Sequence, residues 1–173
     1  MIIGKNIDLR PIELSDAEFI LSLRLDPELS QYLSPVENNL DKQRQWLKTC
    51  QEDPTQHYFI IQNKQQQPVG TIRIYDIKNN SFCWGSWIVI PEARSYTSYE
   101  SIILLYQYAF FDLGLDITHF DVRKENTKAL NFYLRFGAVI THEDNQDFFL
   151  VYTKGDFVDT YSDFNTAIDK TST

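Results

Sequence analysis

Long apolar runs are missing from this 173-residue chain. No segment stays apolar over the roughly 18 residues that a membrane-spanning helix needs, so none is expected. The opening MIIGKNIDLRP lacks the apolar core of a secretory signal, so secretion is not expected either. Cysteine is scarce. Cys50 and Cys83 do not make a disulfide framework, and no Cys/His spacing of the metal-binding kind occurs. These absences point to a reducing, cytoplasmic setting and to no metal. Basic side chains are the minority: 16 Lys and Arg against 24 Asp and Glu leave a net charge of −8. A field of that sign repels nucleic acid and anionic membrane surfaces. Any phosphate-bearing ligand would therefore be held locally, by backbone N–H groups and a few Lys or Arg side chains.

What is present is enough apolar matter for a core: 43% of the chain is hydrophobic and 14% of the chain is aromatic. No internal repeat or low-complexity linker divides the chain, and its length fits one domain over residues 1–155 with a short tail. A first strand starts at Ile7 and ends at Arg10-Pro11. Ser15 and Glu18 have the spacing of a capping box for a helix carrying Phe19, Ile20 and Leu23 and ending near Asp26-Pro27. Tyr32 to Asn39 reads as loop, and Asp41 to Gln51 as a second helix with Trp46 and Leu47 on its buried side. HYFIIQ and VGTIRIY flank the polar turn Asn63–Pro68 and read as a hairpin. Phe82 to Ile90 is a third strand of this group, in which Gly85 predicts a bulge or a close backbone approach.

Ile102, Tyr106, Ala109, Phe110 and Leu113 recur at helical spacing, predicting one long helix from about Thr97 to a stop at Gly114. A strand through Phe120 and Val122, a short helix closed by Gly137, and strands at Val139–Thr141 and Phe148–Thr153 complete the order β-α-α-β-β-β-α-β-α-β-β. The strand-helix-strand unit over Trp84–Val122 calls for a right-handed crossover and locally parallel pairing, while the earlier hairpin is antiparallel. The fold class is therefore α/β (α+β): a mixed sheet with helices on both faces. In the acidic tail, residues 156–173, Phe157, Tyr161, Phe164 and Ile168 keep helical spacing. That predicts a short helix docked on this subunit or on a second copy, so a homodimer is open.

The segment DVRKENTKALNFYLRFGA, Asp121 to Ala138, carries the chemistry. Asn126 stands at the N-cap of its helix and Tyr133 on an amphipathic face, and each has an ordinary structural reading as a cap and a core-edge ring. The joint spacing of Asn126, Ala129, Tyr133 and Gly137 resembles the last strand-helix unit of the GCN5-related N-acetyltransferases (GNATs). The stretch from about Ile7 to Thr153 is similar to the RimJ/RimL-like branch of that superfamily, through Asp8-Leu9-Arg10-Pro11 and Ser15-Asp16-Ala17. Leu23-Arg24-Leu25-Asp26-Pro27, Tyr32-Leu33 and Gln43-x-x-Trp46 resemble GNATs that acetylate nucleotide-linked amino sugars in surface-polysaccharide pathways.

The resemblance implies a mostly antiparallel sheet with a parallel bulged pair, and acetyl-CoA as cosubstrate. It places Trp87, Ile88, Val89 and Ile90 along the pantetheine arm, with Asn126 and Ala129 bordering the cofactor and Tyr133 as the acid that protonates the departing thiolate. Arg94, Ser95, Tyr96, Thr97, Ser98 and Tyr99 occupy the strand-to-helix turn where relatives hold pyrophosphate on a glycine-rich loop. No glycine stands there in this chain. An ordinary loop with a Ser/Thr N-cap is the competing reading. By the same analogy the acceptor is a small-molecule amine lying near Arg24, Tyr32, Trp46, Arg73, Trp84 and Trp87, although Trp46 and one strand Trp also read as core. No strand carboxylate stands where relatives keep a base. Glu100, His57, His119 or a relayed water remain as candidates, with a structural role for His119 as the alternative. A protein N-terminus or other small amine as acceptor, and a GNAT-fold module without catalysis, are the competing functions.

Overall fold

A computed structural model describes residues 1–161. Eight strands form one sheet: β1 (Ile2–Ile3), β2 (Ile7–Pro11), β3 (His57–Asn63), β4 (Pro68–Lys78), β5 (Ser81–Val89), β6 (Ile117–Arg123), β7 (Val139–Glu143) and β8 (Asp147–Thr153). Their spatial order is β1-β2-β3-β4-β5-β6-β8-β7. All neighbours are antiparallel except β5 and β6, which the crossover helix makes parallel. The helices are α1 (Ala17–Leu25), α2 (Leu40–Glu52), α3 (Tyr96–Gln107) and α4 (Thr127–Arg135). The two-residue β1 was not foreseen from the sequence.

Alternation along the strands divides the core. One cluster packs Ile12, Ala17, Ile20, Leu47, Cys50, Tyr58 and Ile60 together, so α1 and α2 cover one face of the sheet. The other joins Leu9, Ile61, Ile72, Ile74, Phe82 and Trp84 to Ile102, Leu105, Tyr106 and Phe110 of α3 and its extension, with Phe136 just after α4. Helical structure resumes over 154–161, and Phe157 there is buried against Tyr106 and Phe110. Phe164 and Ile168 of the expected tail stripe lie outside the described residues.

Local differences from the pattern have physical causes. The capping box forms one turn early, between Glu13 and Asp16, ahead of a short 3-10 turn at Leu14–Asp16. Arg10 draws Asp16 into that position with two hydrogen bonds, of 3.0 and 2.7 Å. The long helix does not run as one α-helix. It widens into a π-turn over Tyr108–Asp112, where Leu113 N–H reaches back to the Tyr108 carbonyl at 2.9 Å. The wider turn keeps Ala109 and Phe110 buried while the chain moves on to Gly114, whose φ of +71° ends it.

Glu100, one of the base candidates, sits buried in α3. Its carboxylate accepts hydrogen bonds from the Asn6 N–H at 2.8 Å, the Asn6 side-chain amide at 3.0 Å and the Ile7 N–H at 3.5 Å. It ties the start of β2 to α3 and is a structural group. Glu100→Ala is expected to cost about 2 kcal/mol, because buried donors lose their acceptor. That corresponds to a drop of roughly 4–8 °C in Tm in a chain of this size. Thermal unfolding checks this; a variant with native Tm and no activity would mark Glu100 as a chemical group instead.

Candidate active site

The site is organised by the parting of two strands. The β5–β6 ladder pairs Ser81 with Ile117 and Phe82 with Thr118 and goes no further. Beyond that point β6 continues against β8 as far as Arg123↔Asp147, while β5 continues against β4. A wedge opens between them. Its cause is visible in β4–β5, where the register jumps from Arg73↔Gly85 to Thr71↔Ile88. The extra residue on β5 is Ser86, at φ +48°, and the Thr71 hydroxyl donates to its carbonyl at 2.7 Å. The bulge also turns Trp84 and Trp87 to the same face, which an unbroken strand would not allow. Their rings meet at 5.8 Å.

Tyr133 plugs the wedge from the α3–α4 side. Its ring packs edge-on against Trp84 of β5 at 5.4 Å and against Phe120 of β6 at 4.7 Å. It thus bridges the strands where they separate. Among the described residues its hydroxyl makes no hydrogen bond. Burial, and secondarily Cys83, push its pKa above the ordinary tyrosine value, so the O–H stays protonated at neutral pH. Asn126 caps α4 by accepting the Ala129 N–H at 3.1 Å, which fixes the start of the helix that carries Tyr133.

At the far end of the wedge is the N-terminus of α3. Ser95 occupies the N-cap in a helical conformation, and its side chain makes no capping bond. The expected Ser/Thr cap is therefore absent; the Thr97 N–H is taken by the Arg94 carbonyl at 2.9 Å, and the N–H groups before it stand at the positive end of the helix dipole. Arg94 is exposed beside it. Thr97 is buried and Tyr96 packs against the core, so within 95–99 the backbone and the Ser95 hydroxyl face outward more than the larger side chains do. Trp87, Tyr99 and Phe132 line the path from this turn to Tyr133, with Phe132 5.4 Å from Trp87 and 5.2 Å from Tyr99. Ile88 is buried, and Val89 and Ile90 continue β5 toward the turn, the Ile90 N–H bonding the Val69 carbonyl at 3.0 Å. A helix start without a side-chain cap, an arginine with no ion pair among the described residues and an open strand edge in one line fit a pyrophosphate with an extended amide-bearing arm.

The opposite face holds a different group. The Arg73 guanidinium lies over three rings: Tyr75 at 4.5 Å, Trp46 at 5.1 Å and Tyr58 at 5.9 Å. Its Nη1 donates to Gln56 at 3.3 Å. Arg24, from α1, donates from Nη2 to the Ser34 carbonyl at 2.6 Å. Burial, followed by the charge of Arg73, lowers the Arg24 pKa, while Tyr58 opposes that trend. Arg24 Nε, Arg73 Nε and the Tyr58 hydroxyl are buried without a hydrogen-bond partner among the described residues, and neither arginine has a carboxylate partner there. Two like charges and three unsatisfied polar atoms in one place have the chemistry that suits an anion.

Arg24, Trp46 and Arg73 are thus brought together, joined by Tyr58 and Tyr75, which the sequence reading did not single out. Tyr32 is exposed in the loop after α1, and Trp84 and Trp87 stand on the other face. Trp84 donates to the Tyr106 hydroxyl at 3.1 Å, and Trp87 to Ser101 at 3.2 Å. Asp121 was not singled out either, and Cys83 was read only as a place where a strand base is lacking. Tyr75 lies over Gly85, where an added Cβ would meet its hydroxyl at 3.2 Å. The Cys83 thiol is pushed up to about 11, first by burial and then by Asp121 and Asp76, against the lowering effect of Tyr75. His57 is half-buried, shares a hydrogen bond with Tyr108 at 3.1 Å, and has its pKa lowered by burial.

With this geometry in view, the comparisons are direct. The acetyltransferase (GNAT) domain model matches residues 6–139, and the chain belongs to that family. It is an acetyltransferase by family. Over 141 residues it is 25% identical to the acetyltransferase PseH of Campylobacter jejuni, covering 80% of this chain and 86% of that one. The structure of apo FdhC, a nucleotide-linked sugar GNAT, superposes with a TM-score of 0.84 at 34% identity, covering 92% of this chain and 93% of that one. The Vibrio cholerae spermidine N-acetyltransferase in complex with CoA and spermine matches with a TM-score of 0.79 over 90% of this chain and 99% of that one. At 20% identity that last likeness concerns the fold alone.

The thiols supply a test of the described packing. Cys50 and Cys83 are both buried and free, and burial raises the pKa of each. A chromogenic disulfide at pH 8 is expected to react with almost no thiol in the native protein and with both after denaturation. Fast native labelling at Cys83 would show the wedge to be open to solvent at β5.

Proposed function

We propose that this protein transfers the acetyl group of acetyl-CoA to the primary amine of a nucleotide-linked amino sugar, in the synthesis of a surface polysaccharide. The observation that carries the reading is the pair of guanidinium groups, Arg24 and Arg73, lying without a carboxylate partner among the described residues in an aromatic box on the sheet face opposite Tyr133. A polycation such as spermidine would be repelled there, whereas the diphosphate of a sugar nucleotide would complete the hydrogen bonds the box leaves open. The rings of Trp46 and Tyr58 suit a sugar or a base. The names of PseH and FdhC support the same class of acceptor.

In this reading the turn at Arg94–Tyr99 holds the pyrophosphate, and the open edge of β5 from Trp87 to Ile90 pairs with the pantetheine arm. A backbone N–H beside the Ser86 bulge polarises the thioester carbonyl. The acceptor approaches from the Arg73 side, its ammonium near the Asp121 carboxylate, which lies close enough to influence Tyr75 and Cys83. Tyr133 protonates the leaving thiolate from the other side of the wedge. Its raised pKa makes it a weak acid in the resting protein, yet a thiolate emerging beside a neutral phenol in a dry wedge is a strong local acceptor.

Tyr133→Phe is expected to lower kcat by about 10²-fold or more with calorimetric acetyl-CoA affinity unchanged. Retained turnover would remove Tyr133 from the chemistry. No acetyl-CoA binding by the native protein at millimolar concentration would favour a GNAT-fold module that does not catalyse. Arg73→Met is expected to raise KM for UDP- or dTDP-linked amino sugars by about 10-fold or more and leave acetyl-CoA binding intact, since it removes one charge-assisted contact worth about 1.5–3 kcal/mol. Faster turnover of spermidine than of any sugar nucleotide would instead support a small-amine acceptor.

A further inference from the structure

The sugar-nucleotide reading fixes two points on one face of the sheet, and a single side chain spans them. Arg73, which takes the diphosphate in that reading, is the direct ladder partner of Gly85. Ser86, the bulge beside which the thioester carbonyl lies, is the next residue of β5. Directly paired residues of an antiparallel ladder stand about 4.5–5.5 Å apart at Cα. Tyr75 occupies the ground between these points. It pairs with Cys83, so alternation sets it on the face of Arg73 and Gly85. The Arg73 guanidinium lies over its ring at 4.5 Å. Its hydroxyl end covers Gly85, where an added Cβ would meet the hydroxyl oxygen at 3.2 Å and Cε1 at 3.3 Å. The ring therefore supports the anion site while the hydroxyl reaches the acetyl site.

We propose that Tyr75 is the residue by which this site selects its amino sugar, its hydroxyl bonding the sugar hydroxyl on the ring carbon next to the amino carbon. This rests on the sugar-nucleotide reading of the Arg24–Arg73 box.

The order of groups along the face argues for that contact. Asp121 of β6 stands across the wedge, near enough for its charge to act on both Tyr75 and Cys83. An acceptor with its phosphate on Arg73 and its ammonium facing Asp121 must cross Gly85 between them. The part that crosses is the ring carbon beside the amino carbon, on the phosphate side. Gly85 presents no side chain to it, so the polar group it meets is the Tyr75 hydroxyl. Tyr75 and Gly85 are both partly exposed, which leaves this contact open to a ligand. Burial, and then Cys83, raise the Tyr75 pKa against the opposing charge of Arg73, so the phenol is neutral and can both donate and accept. Its neighbour in the protein is the Cys83 thiol, a weak hydrogen-bonding group. A sugar hydroxyl, also donor and acceptor, is the stronger match. A methylene in its place leaves the phenol with the thiol alone, and a site built around a hydroxyl rejects the analogue that lacks it.

The other polar cluster of this face lies elsewhere. His119 is held between Ser81 and Asp76, and Ser81 stands opposite Ile117, at the closed end of the wedge and short of the bulge. Tyr75 takes no proton in the reaction. It holds the sugar so that the amine nitrogen faces the thioester carbon, while Tyr133 works from the opposite face.

The test compares kcat/KM, read as thiol release from acetyl-CoA, for UDP- and dTDP-linked aminodeoxyhexoses and for their counterparts lacking the hydroxyl next to the amino carbon. Native protein is expected to prefer the hydroxylated member of a pair by about 10-fold or more. Tyr75→Phe keeps the ring under Arg73 and is expected to bring that ratio close to one. It should do so by slowing the hydroxylated sugar alone, with acetyl-CoA affinity and Tm retained. A merely structural role would slow both members equally. Gly85→Ala is the second variant, because it displaces the hydroxyl by a few tenths of an ångström without removing it. It is expected to weaken the same preference even if Tyr75→Phe folds poorly. Native protein that turns over both members of each pair equally, or a preference that both variants keep, overturns the proposal and leaves the sugar-nucleotide reading standing. Absence of thiol release by native protein with every sugar nucleotide overturns that reading and the role of Tyr75 with it.

Discussion

Everything in the site depends on β5 leaving β6 after two paired residues. A strand that stayed in register would bury its backbone groups in the ladder and leave no ligand a place in the sheet. The Ser86 bulge, pinned by the Thr71 hydroxyl, bends β5 toward β4 and away from β6. Left-handed backbone at a serine costs free energy of the order of 1–3 kcal/mol, and such strain persists only where the surroundings fix it. Here the fixing elements are the long β4–β5 ladder on one side and the β6–β8 ladder on the other. Tyr133 stands in the gap that results, held by rings from both separated strands.

The two faces of the wedge divide the work by charge. The chain carries a net −8, so anionic ligands gain nothing from its overall field. What it offers instead is local: an uncapped helix start with Arg94 at one end, and the Arg24–Arg73 pair on the opposite face. The arginines lie over aromatic rings and not beside carboxylates, which lowers the cost of placing cations in a half-buried site without neutralising them. In the proposed reading such an arrangement favours a partner that brings its own negative charge.

Much of the fold was legible because its elements are local and periodic. The hairpin around Asn63–Pro68, the strand ended by Pro91 and the helix stops at Gly114 and Gly137, with φ of +71° and +96°, all follow from short-range rules. Gly85 announced the bulge, yet the strained residue is its neighbour Ser86. Gly85 is small because Tyr75 lies on it, a tertiary reason that spacing does not reveal. The π-turn, and the Glu13–Asp16 cap set by Arg10, are local, but apolar spacing does not signal either of them. In the site, Asn126 and Tyr133 were readable as a spacing within one helix. The meeting of Arg24 with Arg73 and Tyr58 joins residues from different elements that only the sheet order brings together. Trp84 was read as an acceptor-side group and Trp87 both as that and as part of the pantetheine edge; that the bulge brings the two rings to one face is invisible without the register.

The measurement that bears most directly on the open wedge is amide hydrogen exchange along β5 and the first turn of α3, with and without CoA. If the wedge holds the cofactor, CoA should slow exchange in Trp87–Ile90 and in 95–99 and leave the β2–β3 ladder unchanged. Unaltered exchange at those amides under saturating CoA, or protection confined to another part of the sheet, would contradict the account.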